Sequence, residues 1–453
     1  MAMQQKTHCD PVGRRTGEAR AIRLPGAEAG LAHPEEESPS SGDNLMEVIL
    51  SPENLKQALK RVKANKGTAG IDGMNVHELP GYLKLHWGEL RTSLLEGTYK
   101  PQPVRKVEIP KPTGGSRQLG IPTVVDRFLQ QAVLQVLQSL WDPTFSDNSY
   151  GFRPGRSAHQ AVNRAKSYVE EGHHWVVDLD LEKFFDRVNH DVLMNRIARR
   201  LTDKRVLKVL RAFLNSGVME AGVVRPQTEG TPQGGPLSPL LSNVLLDELD
   251  HELEKRGLKY VRYADDCNIY VRSERAGKRV KEGITRWLDS KLRLKVNEQK
   301  STVSPPYGRK FLGYSFRRYN GKIRCVVAKE SLKRFKNRIR ELTGRNRGWK
   351  LERVISALRQ YLTGWLNYYA LNENVSTARL LGKWLRRRLR SLVWKQWKTC
   401  RNRYDQLREI GVSHDLAAMT AGGRQKQWAI SQSQPLCIAM PNKFFRDMGL
   451  PDM

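Results

Sequence analysis

Apolar residues return at helical spacing from Arg127 to Leu140, and again at Val354, Leu358, Tyr361, Trp365 and Tyr368. Both stretches are therefore predicted to be helices with one buried face. "SPENLKQALKRVKANKG" predicts a helix capped by Ser51, with Pro52 in its first turn and Gly67 just past its end. The proline-broken run "YKPQPVRKVEIPKPTGGSRQLGIPTVVDR" predicts an extended hairpin that turns at Gly114-Gly115. "SYGFRPGRSAHQAV" is a Gly/Arg loop closing on Ser157-x-x-Gln160, a capping box for the next helix. "HHWVVDLDLEKFFDRVNHDVL" runs from strand into helix, and "KYVRY" and "CNIYV" are two strand-like runs on either side of Asp265 and Asp266. Residues 201–300 mix short strands and helices without a repeating βα period, so the class is α+β. Residues 1–43, rich in Gly, Pro, Ala, Glu and Ser, are predicted to be a disordered extension, and the last 45 or so residues are weakly patterned.

Charge narrows the partners. The chain of 453 residues carries 78 Lys and Arg against 47 Asp and Glu, a formal net charge of +31. That balance points to a polyanion, and with this many aromatics to nucleic acid. Between Lys329 and Arg408 there are 22 Lys/Arg and 5 Asp/Glu, which marks a basic, mainly helical region. Cys9, Cys267, Cys325, Cys400 and Cys437 lie far apart with no C-x-x-C pair, which argues against a zinc ribbon or disulfide framework and fits a reducing compartment. No apolar run approaches the ~20 residues that span a bilayer, so no membrane partner is expected.

In such a basic chain the paired acids need a reason. Asp178 and Asp180 end the strand "WVV" and share one face at period two. If that strand neighbours the Asp265-Asp266 turn, three carboxylates converge and repel one another unless cations neutralise them. Hard oxygen ligands select Mg²⁺, and two such ions serve in-line nucleotidyl transfer.

"DLDLEKFFD" (178–186), "TPQGGPLSPLLSN" (231–243), "YADD" (263–266) and "FLGYSF" (311–316) resemble, in order and spacing, the motifs of reverse transcriptases. "NKGTAGIDG", "IPKPTGGSRQLGIPTVVDR" and "YGFRPGRSAHQAV" narrow the resemblance to group II intron-encoded reverse transcriptase/maturases, whose thumb the segment "GWLNYYAL…LGKWLRRRLRSLVWKQWK" is similar to. The likeness runs from about Leu45 to the C-terminus. It implies a right-hand polymerase fold, α+β, with fingers and an antiparallel palm followed by an α-helical thumb/maturase domain. The implied division is fingers with an N-terminal extension motif over 44–172, palm over 173–327, thumb/maturase over 328–400 and a DNA-binding-like tail over 401–453.

Carried over residue by residue, the resemblance makes Asp180, Asp265 and Asp266 the catalytic, metal-holding triad for two Mg²⁺ ions, with the Leu181 backbone as a further ligand and Asp178 as a supporting residue. Phe185 would exclude ribonucleotides from the dNTP site, while Phe184 is read as core. Lys111, Arg117, Gln233 and Lys300 would contact the incoming nucleotide. Gly234, Gly235, Gly313, Tyr314, Arg153 and Arg156 would meet primer and template. Arg386, Arg387, Arg388, Arg390, Trp394 and Lys395 would bind intron RNA, although each tryptophan taken alone reads more readily as thumb core. The implied work is copying intron RNA into cDNA during retrohoming and promoting intron splicing, with intron RNA, the RNA template/cDNA duplex and a DNA target as partners. A bacterial cytoplasm or nucleoid is the expected location, an organelle the lesser one.

Many relatives carry a nuclease domain built on paired cysteines and histidines. The tail here has only Cys400 and Cys437 without ligand spacing, so the expectation is the endonuclease-lacking, class C-like branch. Two alternatives remain: a maturase whose polymerase has decayed, against which the three retained acids speak, and a domesticated reverse transcriptase, against which the basic maturase region speaks.

Overall fold

The computed structural model describes residues 44–110, 116–220, 223–225, 229–230 and 234–453. The N-terminal extension, the hairpin tip with its Gly114-Gly115 turn, Lys111 and Gln233 lie outside the described residues, as does the side chain of Arg117. Ten strands form three sheets among the described residues. β1 (Val104–Pro110), β2 (Ser116–Ile121), β4 (Val218–Glu220) and β5 (Val223–Arg225) make one, in the order β2-β1-β4-β5. β3 (Trp175–Leu179), β6 (Lys259–Tyr263), β7 (Asp266–Val271) and β8 (Thr302–Ser304) make the second, ordered β6-β7-β3-β8 and antiparallel throughout. β9 (Tyr314–Tyr319) and β10 (Lys322–Val327) pair alone. With helices packed around these sheets, the class is α+β.

The helical predictions follow their causes. The 127–140 periodicity becomes the helix Val124–Trp141, whose N-cap Thr123 accepts from the amide of Asp126. Ser157 and Gln160 close a complete capping box on Ala158–Glu170. Ser51 caps Pro52–Ala64 as expected. At the other end of that helix Gly67 lies just past the last turn, as expected, and Lys66 (φ 47) takes the left-handed position. A Cβ on Gly67 would meet only the tip of the Arg127 side chain.

One large apolar cluster joins residues from Met46 to Val296 and underlies the β6-β7-β3-β8 sheet. A second runs from Phe335 to Leu450. It gathers the helices Lys329–Leu342, Leu351–Tyr368 and Val375–Gln396 together with five shorter ones after Cys400. The weakly patterned end of the chain is thus helical and packed, with Leu407, Leu436, Met440 and Phe445 almost fully buried in the same cluster as Trp394. Among the described residues no helix is long and apolar enough to cross a membrane.

Candidate active site

The acids meet because of strand register. Asp178 pairs with Asn268 and Leu179 with Cys267 across β3 and β7, and Tyr263 pairs with Asp266 across β6 and β7. Carrying the β3/β7 register one step on sets Asp180 beside Asp266, while Ala264 and Asp265 form the two-residue turn. Period-two alternation puts Asp178, Asp180, Asp266 and Asn268 on one face, and these four line one cavity.

Asp180 is held by its backbone. Its amide donates to Ser301 Oγ (2.9 Å), and its carbonyl accepts from the amide of Asn297 (2.8 Å). The same 297–301 turn carries Lys300, whose Nζ lies 3.3 Å from Asp180 Oδ2. Leu181 forms an isolated bridge with Val296, whose hydrogen bonds use backbone groups of Asp180 and Glu182, not those of Leu181.

Two cavities flank the acids. One, of about 710 Å³, is lined by Asp178, Asp180 and Asp266 and, across it, by Gly313, Arg334 and Tyr368. The other, of about 620 Å³, is lined by Asp265, Asp180, Phe185, Phe152 and Gln118. Asp180 and Lys300 line both. The turn therefore presents Asp266 to one chamber and Asp265 to the other.

Electrostatics matches this crowding. Desolvation, then the charges of Asp265, Asp178 and Asp180, push the Asp266 carboxyl up to about 6, with Lys310 opposing. Asp266 is exposed, so solvent weakens the desolvation and we give its three like-charged neighbours the greater weight. Asp178 is also raised, first by burial; Arg309, whose Nη2 donates to Asp178 Oδ2 at 2.6 Å, pulls it back. Among the described residues no three His, Cys, Asp or Glu side chains close on a metal-sized point.

Comparison with known proteins decides the family. The family model for reverse transcriptase (RNA-dependent DNA polymerase) matches residues 109–316, and that for the group II intron maturase-specific domain matches 332–411. Protein YkfC of Escherichia coli (strain K12) is 34% identical over 57% of this chain and 78% of its own length. The chain belongs to the group II intron reverse transcriptase/maturase family. The group II intron-encoded protein LtrA of Lactococcus lactis subsp. cremoris is 30% identical over 62% of this chain, and the match spans only 59% of LtrA. A solved chain from a Cas6-RT-Cas1–Cas2 complex is 20% identical over 77% of this chain and 48% of its own, with a TM-score of 0.37, a likeness too loose to bear on function.

Within this reverse transcriptase/maturase, several sequence-predicted contacts need correction. Arg153 cannot reach primer or template. Its side chain is buried and donates to Asp142 Oδ1 (2.9 Å), to the Asp142 carbonyl and to the carbonyls of Ser146 and Ser149. Arg156 is paired with Asp147 at 2.5 Å and lies over the Tyr150 ring. Tyr314 has no exposed surface and donates its hydroxyl to the Tyr368 carbonyl. Gly313 (φ +84) does line the cleft, and a Cβ there would press on the Tyr369 hydroxyl. Gly234 and Gly235 are expected to meet primer and template. The space a Cβ would need is taken instead by the Gly120 carbonyl and by Gln130 Oε1.

The RNA-binding block also changes character. Trp394 is 1% exposed and belongs to the helical core. Burial lowers the guanidinium pKa of Arg386, Arg388 and Arg390. Arg388 donates to Thr343 Oγ1 and Arg390 to the Met440 carbonyl. Arg387 stacks 4.0 Å over Trp428 and donates to its carbonyl. Arg387, Arg388 and Arg390 clamp helices together. Of the six, Lys395 alone is exposed, and it donates to Asn346 Oδ1.

Asn268 and Arg262 escaped the sequence reading. Asn268 lies two residues beyond Asp266, so period two had already placed it on the acid face. Arg262 carried no signal, because an arginine inside a strand reads as solvated charge.

Proposed function

We propose that this chain extends a DNA primer on an intron RNA template at Asp180, Asp265 and Asp266, and that its helical C-terminal region holds the same RNA to promote splicing. The observation that carries the polymerase reading is the strand register that sets the three acids between two chambers, with Lys300 beside Asp180. Asp266, whose carboxyl burial and the charges of Asp265, Asp178 and Asp180 push up to about 6, forms with these three a donor set suited to hard divalent cations. Asp180, Asp265 and Asp266 would hold two Mg²⁺ ions. When bound, Mg²⁺ supplies the charge that favours an ionised primer 3′-hydroxyl and a departing pyrophosphate.

The remaining work belongs to the protein's own groups. The chamber beside Asp265 takes the dNTP, where the Phe185 ring, packed edge-on against buried Phe184 at 5.2 Å, crowds a 2′-hydroxyl. The chamber lined by Gly313, Arg334 and Tyr368 takes the primer end. Lys300 is placed to give a proton to the leaving pyrophosphate. Lys111, Arg117 and Gln233 keep their proposed nucleotide contacts on the resemblance alone.

For the RNA, the exposed cations Arg345, Lys350, Lys395 and Lys398 rim a groove of about 920 Å³ floored by Trp349 and Trp397. Arg347 and Arg353 stack on Trp349 at 4.5 and 4.6 Å. Cations around aromatic faces suit unpaired RNA nucleotides. Bacterial relatives favour the cytoplasm or nucleoid as the setting.

The test compares wild type with Asp265→Ala/Asp266→Ala in primer extension on RNA with dNTPs and Mg²⁺, and in splicing of the flanking intron. Lost extension with retained splicing supports two separable functions. A wild type that splices but extends nothing leaves only the maturase.

A further inference from the structure

The Ala264-Asp265 turn is strained and needs an external hold. Ala264 sits at φ 58, a left-handed conformation that residues with a Cβ avoid, and it is 5% exposed. Directly beneath lies Arg262, a guanidinium with no exposed surface. Its Nε and Nη2 donate to the two carboxylate oxygens of Asp250 at 2.8 and 2.5 Å, and Asp250 is equally buried. Its Nη1 donates to Asn243 Oδ1 and to the Ala264 carbonyl, both at 3.0 Å.

The network continues beyond the turn. Asn243 and Asp250 are seven residues apart on the helix Ser238–Lys255, so both project from the face turned to the strand. Asn243 Nδ2 donates to the Gly151 carbonyl at 2.8 Å. A Cβ on Gly151 would collide with the Ala264 amide, so this loop closes the turn from another side. The Arg262 backbone joins the same loop, accepting from the amide of Tyr150 and donating to the carbonyl of Asn148, each at 2.9 Å. Strand, helix and loop thus converge on Arg262, whose guanidinium holds the carbonyl of the residue before Asp265.

We infer that Arg262 is a positioning residue for the reaction: its guanidinium, fixed by Asp250 and Asn243, holds the Ala264 carbonyl and thereby aims Asp265 and Asp266 into their two chambers. It touches neither substrate nor reacting atoms. A compact lysine cannot replace it, because a point charge paired with Asp250 lacks the planar fork that reaches Asn243 and Ala264 as well. The inference rests on the polymerase reading. Wild-type incorporation reports on that reading and the variant-to-wild-type ratio on the strut, so the two can fail separately.

The experiment is steady-state single-nucleotide incorporation with wild type, Arg262→Lys and Arg262→Met/Asp250→Leu. The double variant removes both buried charges at once, which proteins commonly tolerate, while it deletes the hold on Ala264. Misplacing the acids by about 1 Å is expected to lower kcat roughly 100-fold. The primer–template KM is expected to stay unchanged, and the Mg²⁺ concentration giving half-maximal rate to rise. A folded double variant with wild-type kcat overturns the proposal and leaves the network a purely structural one. Should the double variant not fold, Arg262→Lys decides: it keeps the ion pair, and full kcat in it likewise overturns the proposal.

Discussion

Asp266 faces the cleft beside Asp265, Asp178 and Asp180, and its carboxyl is raised to about 6. A raised carboxyl means that the folded state binds the proton more tightly than the unfolded chain does. Its stabilising contribution is present below the ordinary aspartate value and is lost as pH rises through about 6. At neutral pH the ionised group therefore costs stability, and Asp266→Asn is expected to raise the melting temperature in the absence of Mg²⁺. Solvent reaches the side chain, so the gain is at most about 1 kcal/mol. It should shrink as pH falls through about 6, while polymerisation is abolished at every pH. Melting curves with and without EDTA check it; a variant less stable than wild type at neutral pH sinks the account. Phe185 gives a second prediction at this scale. Phe185→Val opens the chamber beside Asp265, and ribonucleotide incorporation relative to dNTP is expected to rise at least about tenfold, one lost steric contact being worth about 1–3 kcal/mol. The acids were legible in the sequence because two adjacent carboxylates within strand-like runs contradict local propensity. Arg153 misled because charge alone does not say whether an arginine faces a phosphate or a ring of carbonyls.

Long-period helices and the strands around the acids could be read from the sequence, and the short C-terminal helices could not. The helices after Cys400 have 10, 9, 4, 6 and 6 residues. Helical periodicity needs a window of about 11–18 residues to show itself, so none of the five could announce itself, yet together they bury Leu407, Leu436 and Phe445. The thumb's attachment was equally hidden, since it depends on residues far apart in sequence. Glu373 accepts from Lys166 Nζ at 2.7 Å and from the Cys325 amide at 2.8 Å. The Tyr368 carbonyl accepts from Tyr314 and lies 2.7 Å from His159 Nε2. These bonds tie the base of the helix Leu351–Tyr368 to β9, β10 and the helix Ala158–Glu170. Glu373→Ala strands the Cys325 amide and is expected to cost about 1 kcal/mol. Because the acids are untouched, single-nucleotide incorporation should persist while products on a long RNA template shorten. Equal product lengths for variant and wild type would dissociate this latch from polymerisation.

For the whole molecule, a formal charge of +31 on 453 residues makes association with RNA a matter of counterion release. The sequence located the basic region but could not separate cations spent on the fold from cations left for a ligand. Arg387, Arg388 and Arg390 are held by carbonyls, a hydroxyl and indole rings, whereas Arg345, Lys350 and Lys398 are exposed around the Trp349 groove. The two classes should separate on a salt titration of intron RNA binding. Replacing an exposed cation that meets a phosphate, as in Lys398→Gln or Arg345→Gln, is expected to reduce the slope of log affinity against log salt by about 1 each while leaving the melting temperature in place. Replacing a clamped one, as in Arg390→Gln, should lower the melting temperature and leave the slope of the surviving folded protein unchanged. Because none of these residues lines the acid chambers, primer extension on a short unstructured template should be the same in all three. The reverse pattern, with the slope following Arg390 and indifferent to Lys398 and Arg345, would move the RNA off this groove and onto the face of the Val375–Gln396 helix.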